Sequence, residues 1–456
     1  MNYLDGVKQI KQIEEEYDVM SIRYKDISAW SFLRLHILDK ITDNREFKPS
    51  GSIILLVLKS LFSYNIFQIF KRFDFWVFTN CERRKCIGDK MVQRVSGVFS
   101  DQRFDYLMIE KPSVSKGHYK RSEIKERNII SEAWLLLISR LLMFVSKPFP
   151  IKIENEDIIK AIIKDKGIDF DYRHYLKLLN AQRLAVRFMI TITKKPKMIF
   201  MESPYDTMGY MWAFHQAGVR ILVLQHGVLN NNHYAYNALS YEKEMNPDCL
   251  CVFGEEEYNY FKIQKPQYAP MVKMTGLYML ELADSFFNVD PFVGYRKKYD
   301  LIIVVAGQPN VEHELSLFVD EIALSRKDVL FIYIPRSNDA NISFKAENVV
   351  LKYDVNIYEY LKWADVHMTI SSTSCLEAHY YHTPTIFWNY YNVSCEYYGH
   401  ILCEENGAMY IEYPQQFNSA LTTLLNMQIK WKELFAHHHA ERINQLINET
   451  LGVENI

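Results

Sequence analysis

Short, continuous apolar runs recur along the chain, each followed by a stretch with helical spacing, and this alternation restricts the fold more than any single motif. In the first half the runs are 74–79 (DFWVFT), 104–109 (FDYLMI), 198–201 (MIFM), 221–224 (ILVL) and 250–253 (LCVF). They are too short for buried helices and lack the strict apolar–polar alternation of half-exposed strands. A strand that is apolar on both faces must be covered on both. The runs therefore predict parallel strands joined by right-handed helical crossovers, an α/β doubly wound fold. Helical spacing fills the gaps: Trp30, Leu33, Ile37 and Ile41 form one stripe, residues 154–194 read as helical, and 207–217 is a helix closed by Gly218.

The pattern then restarts with 301–305 (LIIVV), 329–334 (VLFIYI), 349–351, 366–370 (VHMTI) and 385–388 (TIFW), with helices at 358–363 and 374–381. Pro266, Pro270, Gly276, Pro291 and Gly294 lie between the two rounds and predict a connector. A chain of 456 residues is long enough for two domains. The expected organisation is a Rossmann-like domain with helical additions over 1–265, a connector over 266–298, a second Rossmann-like domain over 299–412 and C-terminal helices over 413–456. Such units bind ligands at the carboxyl ends of their strands, so a cleft between the two is the expected site.

Charge excludes one class of partner. Lys and Arg number 53 against 55 Asp and Glu, which leaves no overall positive field to hold nucleic acid. Seven cysteines without a CxxC pair suit a reducing cytoplasm better than a disulfide framework. The opening MNYLDGVKQIKQIEEEYDV is charged and amphipathic, unlike an export signal. Lys59 interrupts the apolar stretch 51–70 and Arg140 the stretch 133–146, so neither is expected to span a bilayer. The region 134–149, flanked by Arg140 and Lys147, is expected to be a buried core helix; its alternative is an interfacial helix in peripheral contact with the inner membrane.

Chemistry concentrates at strand ends. In the second half Thr369-Ile370-Ser371-Ser372-Thr373-Ser374-Cys375-Leu376-Glu377 ends a strand, turns through small hydroxyl residues and opens a helix. Plain capping needs one such residue; four in a row suit a phosphate. Glu377 is placed to reach ribose hydroxyls or to complement the helix dipole. In the first half Leu224-Gln225-His226-Gly227 ends a strand with a polar pair and a glycine. A neutral imidazole there can take a proton from an acceptor hydroxyl. The following Asn230-Asn231-Asn232-His233-Tyr234 is dense in hydrogen-bonding groups and suits a polyhydroxylated ligand. Glu202 and Asp206 reach the same rim, as orienters of His226 or as bases themselves. Gln308 follows the first strand of the second round, and Arg336, after the next, could offset a leaving phosphate or diphosphate. His437-His438-His439 falls in a polar helical stretch and reads as solvated surface. No metal site and no cofactor are expected, and GxGxxG after a strand, the P-loop and HExxH are all absent from the sequence.

QHG at 225–227, PDCLCVFGEEEYNYF at 247–261, VKMTGLYML at 272–280 and ADVHMTISSTSCLEAHYYHTPTIFW at 364–388 resemble the GT-B superfamily of bacterial surface-polysaccharide transferases. The nearest likeness is to capsule Kdo transferases, polysialyltransferases and CDP-glycerol glycerophosphotransferases. The resemblance covers roughly residues 196–390 and implies two Rossmann-like domains facing a cleft. It implies His226 as base, with Ser371, Ser372 and Thr373 on the donor phosphate. The relatives carry a His-Pro pair where this chain has Ile334-Pro335-Arg336, which moves that position's charge onto Arg336. The implied activity is metal-independent glycosyl transfer from a nucleotide-sugar donor, CMP- or CDP-linked before UDP-linked, to a glycan or lipid-linked glycan acceptor in capsule, lipopolysaccharide or other surface-glycan synthesis. A nucleotide-sugar epimerase of the same shape and a non-catalytic scaffold are the alternatives.

Overall fold

The computed structural model describes residues 3–42, 53–101, 104–114, 117–203, 205–233, 236, 242–336 and 342–451. Two parallel sheets organise it. The first is built from β1 (Phe75–Asn80), β2 (Tyr106–Lys111), β3 (Ile129–Ser131), β4 (Met198–Met201), β5 (Arg220–Leu224), β6 (Cys249–Val252) and β7 (Val272–Met274). Its spatial order is β7-β6-β5-β4-β1-β2-β3, with every pairing parallel. The second contains β8 (Leu301–Ala306), β9 (Val329–Ile334), β10 (Val349–Leu351), β11 (Val366–Thr369), β12 (Thr385–Trp388) and β13 (Ala408–Ile411), in the order β10-β9-β8-β11-β12-β13.

Successive side chains of a strand point to opposite faces, and here both faces are buried. Trp76 and Phe78 of β1 join one apolar cluster while Phe75 and Val77 join another. In β8, Ile303 and Val305 pack on one side and Ile302 and Val304 on the other. Each sheet's strand order reverses beside its first strand, between β1 and β4 and between β8 and β11. At such a reversal the crossovers leave to opposite faces, which opens a crevice at the carboxyl ends of the strands.

Four expectations need correction. The 266–298 stretch is not simply a connector: Val272–Met274 forms the edge strand of the first sheet, paired with β6, and Tyr278–Phe286 is a helix. Its glycines and prolines mark turns around these elements. Gly276, at φ 80°, is one such turn, and a Cβ there would overlap the Ala436 carbonyl. The C-terminal helices divide between the halves. Phe417–Asn426 packs on the second sheet, whereas His439–Leu451 returns to the first through Ile443, Leu446 and Ile447. His439 is consequently buried, its Nδ1 2.8 Å from the Thr275 carbonyl, where a solvated surface was expected. The helix Ala133–Ser146, expected to be buried in the core, buries only one side, with Ala133, Leu135, Ser139 and Met143 inward. Among the described residues no helix is long and apolar enough to cross a membrane.

Candidate active site

The His226 turn at the end of β5 and the serine turn after β11 meet. A Cβ built on Gly227 would have a single neighbour within 4 Å, the Thr373 Cγ2 at 4.0 Å, so Gly227 faces open space beside the opposite turn. Its φ is not positive, and the glycine serves room here, not backbone freedom.

Arg94 ties the two turns together. It follows the hairpin formed by Arg84–Ile87 and Lys90–Gln93, which lies beyond the carboxyl end of β1. Its Nη1 donates to the His226 carbonyl at 2.8 Å, and its Nε donates to the Tyr358 hydroxyl at 2.8 Å and to Glu377 Oε1 at 3.1 Å. The Arg94 Nη2 also pairs with Glu377, and the Tyr358 hydroxyl donates to the same carboxylate at 2.7 Å. Glu377 is 3% exposed, so the carboxylate expected to reach a ribose is instead consumed in a buried interdomain ion pair. Burial opposes the Arg94 charge, but Glu377 and Tyr358 outweigh it and hold the guanidinium protonated.

His226 sits among Tyr205, His233 and Tyr236, with the Tyr205 hydroxyl 3.4 Å from its Nε2. Burial pushes the imidazole well below its ordinary range, helped by the Arg83, His233 and Arg94 charges; a hydrogen bond to the Glu202 backbone carbonyl pulls weakly the other way. The ring is thus a neutral proton acceptor at pH 7. Burial likewise lowers His233 to about 4. The Glu202 carboxylate does not face His226: it accepts from Ser96 Oγ at 2.7 Å and Arg83 Nη1 at 3.3 Å. Only its backbone carbonyl orients the imidazole. The side chain of Asp206 lies outside the described residues, as do Pro204, Tyr234, Ser337 and Asn338.

Several residues expected to touch ligand brace the protein. The Gln225 amide donates to the Gly227 carbonyl at 2.8 Å and Glu257 at 2.9 Å, and its oxygen accepts from Phe253 N at 2.6 Å. That shapes the turn and leaves Gln225 nothing for a substrate. Asn230 and Asn232 donate to the backbone carbonyls of Tyr397 at 2.8 Å and Glu396 at 3.0 Å, stitching the loop to the other half. Ser374 is buried with its hydroxyl 3.0 Å from His367 Nε2. By contrast Ser371, Ser372 and Thr373 are half-buried. Among the described residues the hydroxyls of Ser371 and Thr373 make no hydrogen bond, and Ser372 Oγ accepts only a weak cap from Ser374 N at 3.3 Å.

Gln308 is half-buried at the carboxyl end of β8, beside the strand-order reversal. The adjoining Gly307 has a structural reason, since a Cβ there would overlap the Glu312 carboxylate. That carboxylate accepts from the Tyr333 hydroxyl at 2.6 Å and from Arg336 N at 3.1 Å, fixing the turn that presents the exposed Arg336. Arg336 and Arg94 both act on Lys85, a half-buried amine of the Arg84–Ile87 strand. Burial first, and then those two cations, lower it to about 8. The Lys85 amine makes no hydrogen bond or ion pair among the described residues. An amine desolvated beside like charges attracts an anion. Lys85, Arg83 and Arg94 were missed from the sequence, where the ERRK run at 82–85 looks like any charged hairpin.

No protein-family model and no curated relative matches this sequence. Solved structures do. A protein of Listeria monocytogenes described as a UDP-N-acetylglucosamine 2-epimerase superposes with TM-score 0.50 at 11% identity, covering 83% of this chain and 97% of its own. MnaA of S. aureus, solved with UDP, gives TM-score 0.52 at 13% identity over 84% of this chain and 98% of its own. A glycosyltransferase of kitacinnamycin gives 0.44 at 9% identity over 84% and 95%. At such identities the likeness concerns architecture, and with the two parallel sheets it establishes that this chain has the GT-B fold.

Proposed function

We propose that the chain is a glycosyltransferase that moves a sugar from a nucleotide-activated donor to a hydroxyl of a surface glycan or its lipid-linked precursor. The supporting observation is that the turn carrying His226, a neutral imidazole, approaches the hydroxyl-lined turn at 371–373, a Cβ at Gly227 lying 4.0 Å from Thr373 Cγ2. His226 takes the proton of the acceptor hydroxyl as that oxygen bonds to the anomeric carbon. The bond from that carbon to the donor phosphate breaks, and the phosphate leaves with the electron pair. Ser371, Ser372 and Thr373 donate hydrogen bonds to it, and Lys85 and Arg336 offset its charge.

A thermal-shift screen against CMP, CDP, UDP, GDP and dTDP tests the donor side, since a ligand that binds only the folded state raises its melting temperature. The cytidine nucleotides are expected first from the sequence resemblance, with UDP next. Absence of any nucleotide effect would remove the reading. The second reading is a nucleotide-sugar epimerase, favoured by the names of the two best-superposing neighbours reported above. Donor incubated alone separates the two: a new sugar signal by NMR without acceptor identifies an epimerase, and an unchanged donor supports transfer.

A further inference from the structure

One face of the first half gathers exposed apolar side chains on neighbouring elements. The helices Ile53–Ser60 and Ala133–Ser146 pack together, and the second also packs along Tyr172–Ile192. Trp134 Nε1 donates to the Leu61 carbonyl at 2.9 Å, and its ring meets Phe62 edge-on at 5.8 Å. Large apolar side chains nevertheless project outward from these helices and the segments that follow them: Phe62 is 77% exposed, Phe67 72% and Phe144 68%, and Phe70, Val145 and Phe149 are exposed as well. Leu141, Phe144 and Val145 lie on one helical stripe, opposite the buried Leu135, Ser139 and Met143. Apolar exposure on this scale marks a docking surface.

Charge identifies the occupant. Residues 53–73 and 133–153 carry three Lys or Arg each and no Asp or Glu, with Asp74, Glu132 and Glu154 directly at their ends. The chain as a whole has a formal charge of -2, so this face concentrates positive charge against the average. All six cations are exposed, and Asp74, at the end of the first segment, pairs with Lys197. A cavity of about 430 Å³ adjoins the C-terminal end of the Ala133–Ser146 helix, lined by Phe149, by Arg23, Lys25, Lys152 and Lys177, and by one carboxylate, Glu154. A second copy of the chain is a poor fit, because a twofold contact would press the same cations together.

We infer that this face docks on an anionic phospholipid surface, its aromatic and aliphatic side chains entering the headgroup boundary and its Lys and Arg meeting lipid phosphates. The inference is independent of the reaction proposed above. It is tested by sedimenting the full chain with vesicles of equal parts phosphatidylglycerol and phosphatidylcholine, and with phosphatidylcholine alone. Binding to the anionic vesicles is expected to exceed binding to the zwitterionic ones by about tenfold or more and to fall steeply as salt rises. Arg140→Glu with Lys147→Glu should lower it by about tenfold, because two favourable charges become repulsive. Phe62→Ser, at the most exposed ring of the face, gives a loss of binding in a variant whose folding is not at stake, checked by its unchanged melting curve. Failure to bind anionic vesicles, or equal binding to both compositions, overturns the inference. So does a concentration-dependent dimer that Phe62→Ser abolishes without any vesicle binding, which would assign the face to a second copy.

Discussion

Arg94 and Glu377, 283 positions apart in the chain, form a buried ion pair between the two halves. The same guanidinium holds the backbone carbonyl of His226 at 2.8 Å. One side chain therefore sets both the spacing of the halves and the position of the imidazole. Removing one partner strands the other charge in a dry environment, which costs about 3–5 kcal/mol, whereas removing both can be far milder. Arg94→Ala should destabilise the fold by that order in denaturant titration. Arg94→Ala with Glu377→Gln should recover much of the loss but leave turnover low, since His226 loses its brace. Additive losses in the double variant would show that the two do not act as a pair.

A general base must be neutral to work, and His226 is held neutral by burial and by the cations around it. Its folded-state value lies below the ordinary 6.5, so the acid limb of kcat/KM should fall below pH 6.5, with a plateau through neutrality. His226→Ala should reduce kcat by roughly 10²–10⁴-fold while nucleotide affinity, read by calorimetry, stays close to the parent's. A variant with the parent's rate assigns the proton transfer to another group.

The strands were legible because burial on both faces forces continuous apolar runs, as in FWVF of β1 and IIVV of β8. Within the two parallel sheets, the three strands the sequence hid lie at edges: IIS at 129–131, VKM at 272–274 and AMYI at 408–411. At an edge one side has no partner strand, and three or four residues suffice. The turns at 226 and 371–373 were visible as polar residues placed directly after strands. What stayed hidden was the pairing of charges remote in sequence. Nothing in the local pattern around Glu377 tells that Arg94 meets it, or that Gln225 is spent on Phe253 and Glu257.

Two serines three positions apart should separate cleanly. The hydroxyl of Ser374 is buried against His367, so Ser374→Ala removes an internal hydrogen bond and should cost about 1 kcal/mol of stability with little change in nucleotide affinity. The hydroxyl of Ser371 has no protein partner among the described residues, so Ser371→Ala should leave stability within about 0.5 kcal/mol. Its nucleotide affinity should nevertheless fall, by a few-fold for one lost hydrogen bond to an anion. Equal nucleotide affinity in Ser371→Ala and the parent would take the phosphate away from this turn.

Lys85 is the strongest test of the anion site, because its charge opposes folding and should help only when a ligand arrives. Its amine falls to about 8 in the fold, against an ordinary 10.5, through burial and the fields of Arg336 and Arg94. Below pH 8 both the folded and unfolded chains carry the proton, and the folded chain bears the full cost of a desolvated cation. Between 8 and 10.5 the unfolded chain holds more protons, so this group's contribution to stability improves as pH rises through that window. Lys85→Gln should accordingly be more stable than the parent at pH 7, by roughly 1–2 kcal/mol once solvent screening of a half-buried site is allowed for. The advantage should shrink towards zero as the pH climbs past 10.5. The same variant should bind the nucleotide more weakly. Parent protein titrated above pH 8 should take up a proton on binding, because a phosphate restores the amine to its charged form; calorimetry in buffers of differing ionisation enthalpy measures that uptake. A Lys85→Gln protein that is less stable at pH 7 yet binds nucleotide unchanged would mean the amine holds the hairpin together and meets no ligand.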